Sequence, residues 1–336
     1  MLSDSRRIAI VFAEAERLTK GEEMDLVSEN GAHEQSEAIW KILSGRGWDA
    51  QCIAVGDDIP DLMTRLVHWD PAVVFNLAET VLGESHWEFL VPSLLEFFQF
   101  AYTGSDATAI ALCLDKSRTK EVLIANAIPT PAYRVMDVSN ADISAMAFPV
   151  IVKPLREDGS LGIHAHSVVH DAQKLIRQIA FVAQHYGQPA LVEAYVGERE
   201  FNVSILGNDP PVVLPACEID YSLMPEGMPK IVGFAAKWFP QSPEYRGSMP
   251  VCPAPVSAAL LDQVQKTALA AYGACGLRDY GRIDLRWDGK HAPAVVDVNP
   301  NPAISPDAGY ILSARKAGLE YGDLVEKIAR LALHRA

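Results

Sequence analysis

The sequence predicts an α/β fold that passes into an α+β C-terminal part. Three observations carry this reading. The first hundred residues alternate short apolar runs with amphipathic stretches, the pattern of successive β-α units around a parallel sheet. From Ala190 onward, strand-like runs are separated by Gly and Asn-Asp-Pro turns, which favours antiparallel pairing. The chain has 336 residues, 49% hydrophobic and 21% charged, enough ordinary globular material for two or three domains.

Taken in order, Arg7–Phe12 reads as a strand. Glu34–Leu43 sets Ala38, Ile39, Ile42 and Leu43 at helical spacing, and Ser44-Gly45-Arg46-Gly47 ends that helix. Strand Gln51–Val55, amphipathic Asp61–His68, buried strand Ala72–Leu77 and helix Glu88–Phe98 follow. One long helix covers Ala107–Ala127, and Pro129-Thr130-Pro131 marks the connection after it. Strands Tyr133–Met136 and Val150–Lys153 flank a short helix near residues 139–147, before helix Ala172–Tyr186. Strands Leu191–Tyr195, Glu200–Leu206 and Val212–Cys217 come next. Residues 222–255 hold seven prolines and three glycines without a sustained period, an irregular stretch of the kind that serves as a lid or stays disordered. Helix Ala258–Cys275, strands Gly281–Trp287 and Ala294–Val298, and helix Tyr321–Leu333 complete the chain.

Forty-three acidic residues against 29 Lys and Arg give a net charge of −14. Long-range repulsion then argues against a nucleic-acid or anionic-membrane surface. A polyanionic ligand would need locally concentrated cations or a bound metal. The five cysteines form no CxxC pair, which suits a reducing compartment. The apolar run Ile8–Ala13 is too short for a signal-peptide core, and no stretch approaches a membrane span. A cytoplasmic protein is the expectation.

The chemistry concentrates late. In Tyr280–Trp287 a strand's period of two puts Arg282, Asp284 and Arg286 on one face, and Asp297 and Asn299 share a face of the next strand. Were the strands neighbours, Asp284, Asp297 and Asn299 would form an all-oxygen cluster suited to Mg²⁺. The plainer alternative is a solvated edge strand. Earlier, Pro149-Val150-Ile151-Val152 ends in Lys153 before a charged, glycine-containing loop, either a wet strand end or an ammonium aimed at an anion. No GxxxxGK[ST], no helix-opening GxGxxG and no Ser elbow occurs, and His33-Glu34 does not continue as HExxH. Phosphate would have to be held by something other than a P-loop.

Lys153-Pro154 before a Gly/Ser loop, Glu193 closing a strand, Glu200 seven residues on, and Arg282-Ile283-Asp284 with Asp297-Val298-Asn299 together resemble the ATP-grasp enzymes. Within them the D-alanine–D-alanine ligases are most similar, and Tyr102-Thr103-Gly104-Ser105 before Leu114–Lys120 resembles their entry into the central domain. The likeness runs from about residue 70 to the C-terminus. It implies an ATP-grasp fold with an N-terminal parallel α/β domain (1–105) and two α+β subdomains (106–190 and 191–336). ATP would lie between them. Lys116 and Lys153 would reach its phosphates, the backbone of Ala194 and Val196 its adenine, and Glu200 its ribose, with Glu193 in the same site. Asp284, Asp297 and Asn299 would hold Mg²⁺ or Mn²⁺. Arg282 would stabilise the oxyanion with an N–H near Ala303, and Lys237 of the lid would meet the transferred phosphoryl group. Arg156–Leu161 would form a flap.

Four departures from the family pattern bear on substrate. The flap's paired serines are Gly159-Ser160, the lid tyrosine is Trp238, the second metal carboxylate is Asp297 rather than glutamate, and Asn299 is followed by Pro300-Asn301-Pro302-Ala303. Glu34 or Glu37, near the helix start, could hold an α-amino group or simply favour the helix dipole. Glu79 and Glu84 fill the place of another loop that the resemblance implies lies near the substrate. The implied activity is ATP-dependent ligation of a carboxylate to an amine through an acyl phosphate, on small amino-acid or peptide substrates. The alternatives are a different amino acid or small peptide, a nucleotide-binding protein without ligase activity, and a kinase that stops at the acyl phosphate. The family is often dimeric, which implies a homodimer by analogy.

Overall fold

A computed structural model describes residues 6–14, 19–56, 58–139 and 146–335. It opens with β1 (Arg7–Ala13), α1 (Leu26–Gly45), β2 (Asp49–Val55), α2 (Ile59–Trp69), β3 (Val73–Leu77) and α3 (Leu90–Phe97). The strands form a parallel sheet in the order β2-β1-β3. Both faces of β1 are buried, as its unbroken apolar run requires. Ile8, Ile10 and Phe12 pack with Ile39 and Leu43 of α1, while Ala9 and Val11 join Leu62 and Leu66 of α2 and Val91 and Leu95 of α3.

Helices α4 (Ala107–Leu114) and α5 (Lys116–Ala125) lead into a four-stranded antiparallel sheet, ordered β4-β7-β5-β6. Its strands are β4 (Tyr133–Met136), β5 (Val150–Pro154), β6 (Val168–Val169) and β7 (Ala190–Ala194), with α6 (Ala172–Tyr186) against one face. The remaining strands are β8 (Arg199–Leu206), β9 (Val212–Val213), β10 (Cys217–Asp220), β11 (Met249–Val251), β12 (Tyr280–Trp287) and β13 (Ala294–Asn299). They form a sheet ordered β11-β10-β8-β12-β13, with β9 on β8. Helices α7 (Phe234–Trp238) and α8 (Pro243–Arg246) fall between β10 and β11, α9 (Ala258–Ala274) precedes β12, and α10 (Gly309–Lys316) and α11 (Tyr321–Arg335) end the chain. The last two return to the first sheet: Tyr310, Ile311, Leu324, Val325 and Ile328 share one core with Ile8, Ile10 and Phe75.

Several expectations are corrected. The long helix over 107–127 is two helices, because Asp115 takes an extended conformation (φ −83°, ψ 96°) and caps α5 by accepting from the amides of Ser117 and Arg118. The strand expected over Val212–Cys217 splits around Leu214-Pro215-Ala216, where proline has no N–H to give a ladder. Helix α1 starts at Leu26, so Glu34 lies two turns inside it, exposed, rather than at its start. Segment 222–255 is partly ordered, holding α7, α8 and β11, and α10 was unforeseen. The short helix expected near 139–147 lies mostly outside the described residues. Among those described, no helix is long and apolar enough to cross a membrane.

Candidate active site

Strands β12 and β13 are neighbours, and their register sets Arg282 opposite Asn299 and Asp284 opposite Asp297. The solvated-edge alternative fails for β12, which lies between β8 and β13 with Asp284 and Arg286 buried. Arg282 grips the Asp284 carboxylate with Nε and Nη2, both at 2.8 Å. Asn202 of β8 donates to the same carboxylate at 2.8 Å and Asn299 Nδ2 at 3.3 Å. Asp297 is held differently. Its nearest cation is Lys116, at 3.8 Å. Burial alone would raise the Asp297 carboxyl, yet Lys116, Lys153 and Arg282 together hold it below the usual aspartate range.

Lys116 opens α5, so the break at Asp115 is what aims it inward. Its ammonium donates to the Glu157 carbonyl at 2.7 Å and lies 3.4 Å from the Asp158 carboxylate. Burial opposes its charge, but Asp297 and Asp158 outweigh burial and hold the ammonium above the ordinary lysine value. Lys153, at the end of β5, is buried 3.2 Å from Glu193 Oε1, and Lys120 of α5 lies 2.5 Å from Glu193 Oε2. Two ammonium groups thus share one buried carboxylate. They hold Glu193 in its charged form against a burial penalty that would raise it.

The segment after β7 turns through Tyr195-Val196-Gly197. The Ala194 amide donates to the Ala132 carbonyl at 2.9 Å. Arg286 clamps the turn, donating to the Val196 and Gly197 carbonyls at 2.9 and 2.7 Å. Gly197 sits at φ +54°, and a Cβ there would fall 2.1 Å from the Trp287 carbonyl oxygen, so only glycine fits. Arg286 also donates to Glu200 Oε2 at 2.8 Å, joined by the Tyr221 hydroxyl at 2.9 Å. Burial pushes the Glu200 carboxyl up, and Arg286 offsets part of that.

Flap and lid meet directly. Ser160, at φ +63°, donates to the Val232 carbonyl at 3.0 Å, and Trp238 Nε1 donates to the Gly159 carbonyl at 2.9 Å. The flap's base is tied as well, through Arg156 to Asp115 at 2.8 Å and Glu157 to Ser85 at 2.7 Å. Lys237 lies 5.0 Å from the Trp238 ring centre. Burial holds its ammonium below the ordinary lysine value, with Glu79 partly compensating and Arg282 adding repulsion.

Among the described residues no three His, Cys, Asp or Glu side chains group for a metal. Asp284, Asp297 and the Asn299 amide do fit Mg²⁺ chemically. They are hard oxygen donors on two paired strands, with Asp284 opposite Asp297, and Mg²⁺ completes its shell with waters and substrate phosphates. Arg282 would have to yield part of its grip on Asp284.

A family model described as "D-ala D-ala ligase C-terminus" matches residues 129–330. The D-alanine–D-alanine ligase of Desulforudis audaxviator is 30% identical over 304 residues, covering 89% of this chain and 92% of that protein. The chain belongs to the D-alanine–D-alanine ligase family. An uncharacterised Sinorhizobium fredii protein, y4sG, is 34% identical over 278 residues, covering 82% of this chain and 78% of its own. The crystal structure of the Bacillus anthracis D-alanine–D-alanine ligase complexed with ATP aligns at a TM-score of 0.74 with 20% identity, over 99% of this chain and 98% of that one. At that identity the likeness speaks for the fold, and the expected ATP-grasp architecture holds.

Of the residues singled out from sequence, Arg282, Asp284 and Asn299 are in contact, Lys116 meets Asp297 and Lys153 meets Glu193, and the charges of Lys116, Lys153 and Arg282 act together on Asp297. Glu34 is exposed on α1 and stands apart from that network. Lys120, Glu157, Asn202, Tyr221 and Glu88 were missed. Lys120, one helical turn beyond Lys116, carried the only usable sequence signal.

Proposed function

We propose that this ligase-family chain is an ATP-dependent ligase that joins a carboxylate to an amine through an acyl phosphate and releases ADP and phosphate. D-Alanine–D-alanine ligation is the leading activity. One observation carries the reading. In a protein of net charge −14, the cations Lys116, Lys153 and Arg282 all act on one partly buried carboxylate, Asp297. Such local concentration against the overall charge is what a triphosphate with its metal requires. One ammonium at 4 Å from a phosphate charge is worth about 4 kcal/mol of gross Coulomb energy at an effective dielectric of 20.

Lys116 and Lys153 bind the phosphates, and Glu193 fixes Lys153 and Lys120 in place. The backbone at Ala194 and Val196 meets the adenine edge. Glu200 takes the ribose hydroxyls through Oε1, since Arg286 and Tyr221 both occupy Oε2. Asp284, Asp297 and Asn299 would hold Mg²⁺, which when bound offsets charge on the transferring phosphoryl group. Arg282 faces the oxyanion of the tetrahedral intermediate. Lys237 meets the transferred phosphoryl group, and the joined flap and lid exclude water from the acyl phosphate. Ser160 positions the lid, and Glu34, exposed on α1 and apart from these contacts, takes no part. Residues 1–105, 106–190 and 191–336 are the domains we assign. The partners are small amino-acid or peptide substrates, and a cytoplasmic homodimer without nucleic acid is the working assembly. Trp238 over Gly159 favours a second reading, in which the amino acid or small peptide differs from D-alanine.

Phosphate release from ATP over a panel of D- and L-amino acids tests this, with D-alanine alone sufficing if the leading activity is right. Arg282→Ala is expected to lower kcat by about 10²–10³-fold, with no rescue by added Mg²⁺. Unchanged phosphate release in that variant would overturn the assignment.

A further inference from the structure

Lys116 carries its ammonium on a flexible four-carbon stem, so a buried place alone does not fix where the charge sits. One flap residue fixes it, and that residue is anchored from outside the flap. Glu157 accepts the Lys116 ammonium on its backbone carbonyl at 2.7 Å. Its side chain, 1% exposed, ends among three donors. Lys20 Nζ lies 2.8 Å from Oε1, Gln188 Nε2 donates to the same oxygen at 2.7 Å, and the Ser85 hydroxyl donates to Oε2 at 2.7 Å.

These donors come from three separate places in the chain. Lys20 lies between β1 and α1, and Ser85 opens the 3₁₀ turn between β3 and α3, so both belong to the part that builds the first sheet. Gln188 follows α6. Each anchor is itself held. Lys20 also lies 3.1 Å from Glu84 Oε2, and Gln188 accepts the Arg156 amide at 2.6 Å on its Oε1. Arg156 in turn reaches Asp115, which caps the helix that Lys116 opens. Two consecutive flap residues therefore brace Lys116, one through the start of its helix and one at its ammonium.

The energetics favour a brace over simple glue. Desolvation offsets most of the Coulomb gain of a buried ion pair, and a well-packed apolar pair often stabilises a fold as well. What the anchored carboxylate supplies is direction, because three hydrogen bonds fix the Glu157 backbone and with it the carbonyl. Lys20 also balances a charge that would otherwise stand unpaired beside the seat of a triphosphate.

We propose that Glu157 is a positioning residue for the Lys116 ammonium, with Lys20 as the counter-charge that holds it. Docking of the first-sheet loops against the flap then sets the grip on a nucleotide's phosphates and leaves the nucleoside end alone. This rests on the reading of Lys116 as a phosphate ligand.

Calorimetric titration of the full chain with Mg²⁺ and either adenosine or a non-hydrolysable ATP analogue measures the preference for the triphosphate. Lys20→Met and Glu157→Ala should each lower that preference about tenfold, ~1.4 kcal/mol. Adenosine affinity should stay within about twofold of wild type, since its contacts lie apart from the brace. The double variant should lose about tenfold rather than about a hundredfold, because both changes break one contact. Equal weakening of both ligands, an additive loss in the double variant, or a preference that survives Lys20→Met overturns the proposal. Should Glu157→Ala fail to fold in thermal melts, Lys20→Met, at a side chain 20% exposed, decides alone. A wild type with no preference for the triphosphate would instead remove the phosphate role of Lys116, and the brace with it.

Discussion

Asp284 shows how much work one side chain does here, with Arg282, Asn202 and Asn299 all donating to its carboxylate. The Arg-Asp-Arg alternation was legible because a strand's period of two is local and rigid. Glu88 was not legible, since Asp158, Lys116 and Asn301, which act on its buried carboxyl, lie far along the chain, and nothing nearby encodes that. Glu88 also carries a pH signature. Its folded-state pKa lies above the ordinary glutamate value of 4.5, so the unfolded chain binds fewer protons between the two values, and stability falls as pH rises through that window. Glu88→Gln removes this penalty. Thermal melts should find the variant more stable than wild type at pH 7, with the gap closing below pH 4.5. A gap that does not depend on pH would contradict a buried acid held above its ordinary range.

Helix α1 carries a glycine, Gly31, in its interior, which costs about 1 kcal/mol relative to alanine. The reason is across the site. A Cβ at Gly31 would lie 3.0 Å from the Trp238 ring, and the same indole donates to Gly159 of the flap. Helix, flap and lid therefore meet on one side chain. Gly31→Val should destabilise this junction by about 1–3 kcal/mol, seen as faster limited proteolysis within residues 222–255. Adding Trp238→Ala should relieve part of that overpacking. Simple additivity of the two changes would contradict the contact. The sequence marked Trp238 as a departure and residues 222–255 as irregular, yet a glycine among helix formers gives no hint of its partner. The break between α4 and α5 was hidden similarly, because Asp115 caps a helix only once the backbone around it has turned.

The chain's end returns to its beginning, and this too has no local signal. Leu324, Val325 and Ile328 of α11 are fully buried against the first sheet. Each is worth about 1.5–3 kcal/mol of burial, so together they approach the typical 5–15 kcal/mol stability of a domain. Truncation after Gly318 is expected to leave an unfolded or insoluble chain by circular dichroism and solubility, and a soluble product with native melting would contradict the shared core. The larger plan, parallel units first and antiparallel strands after, was readable because it follows from hydrophobic period and turn chemistry along the chain. How a helix and two sheets gather cations round Asp297 follows from neither. Calorimetric titration with a non-hydrolysable ATP analogue, with and without Mg²⁺, tests that gathering most directly. Saturable binding that requires Mg²⁺ is the expected result, and no Mg²⁺-dependent uptake of adenine nucleotide would contradict it.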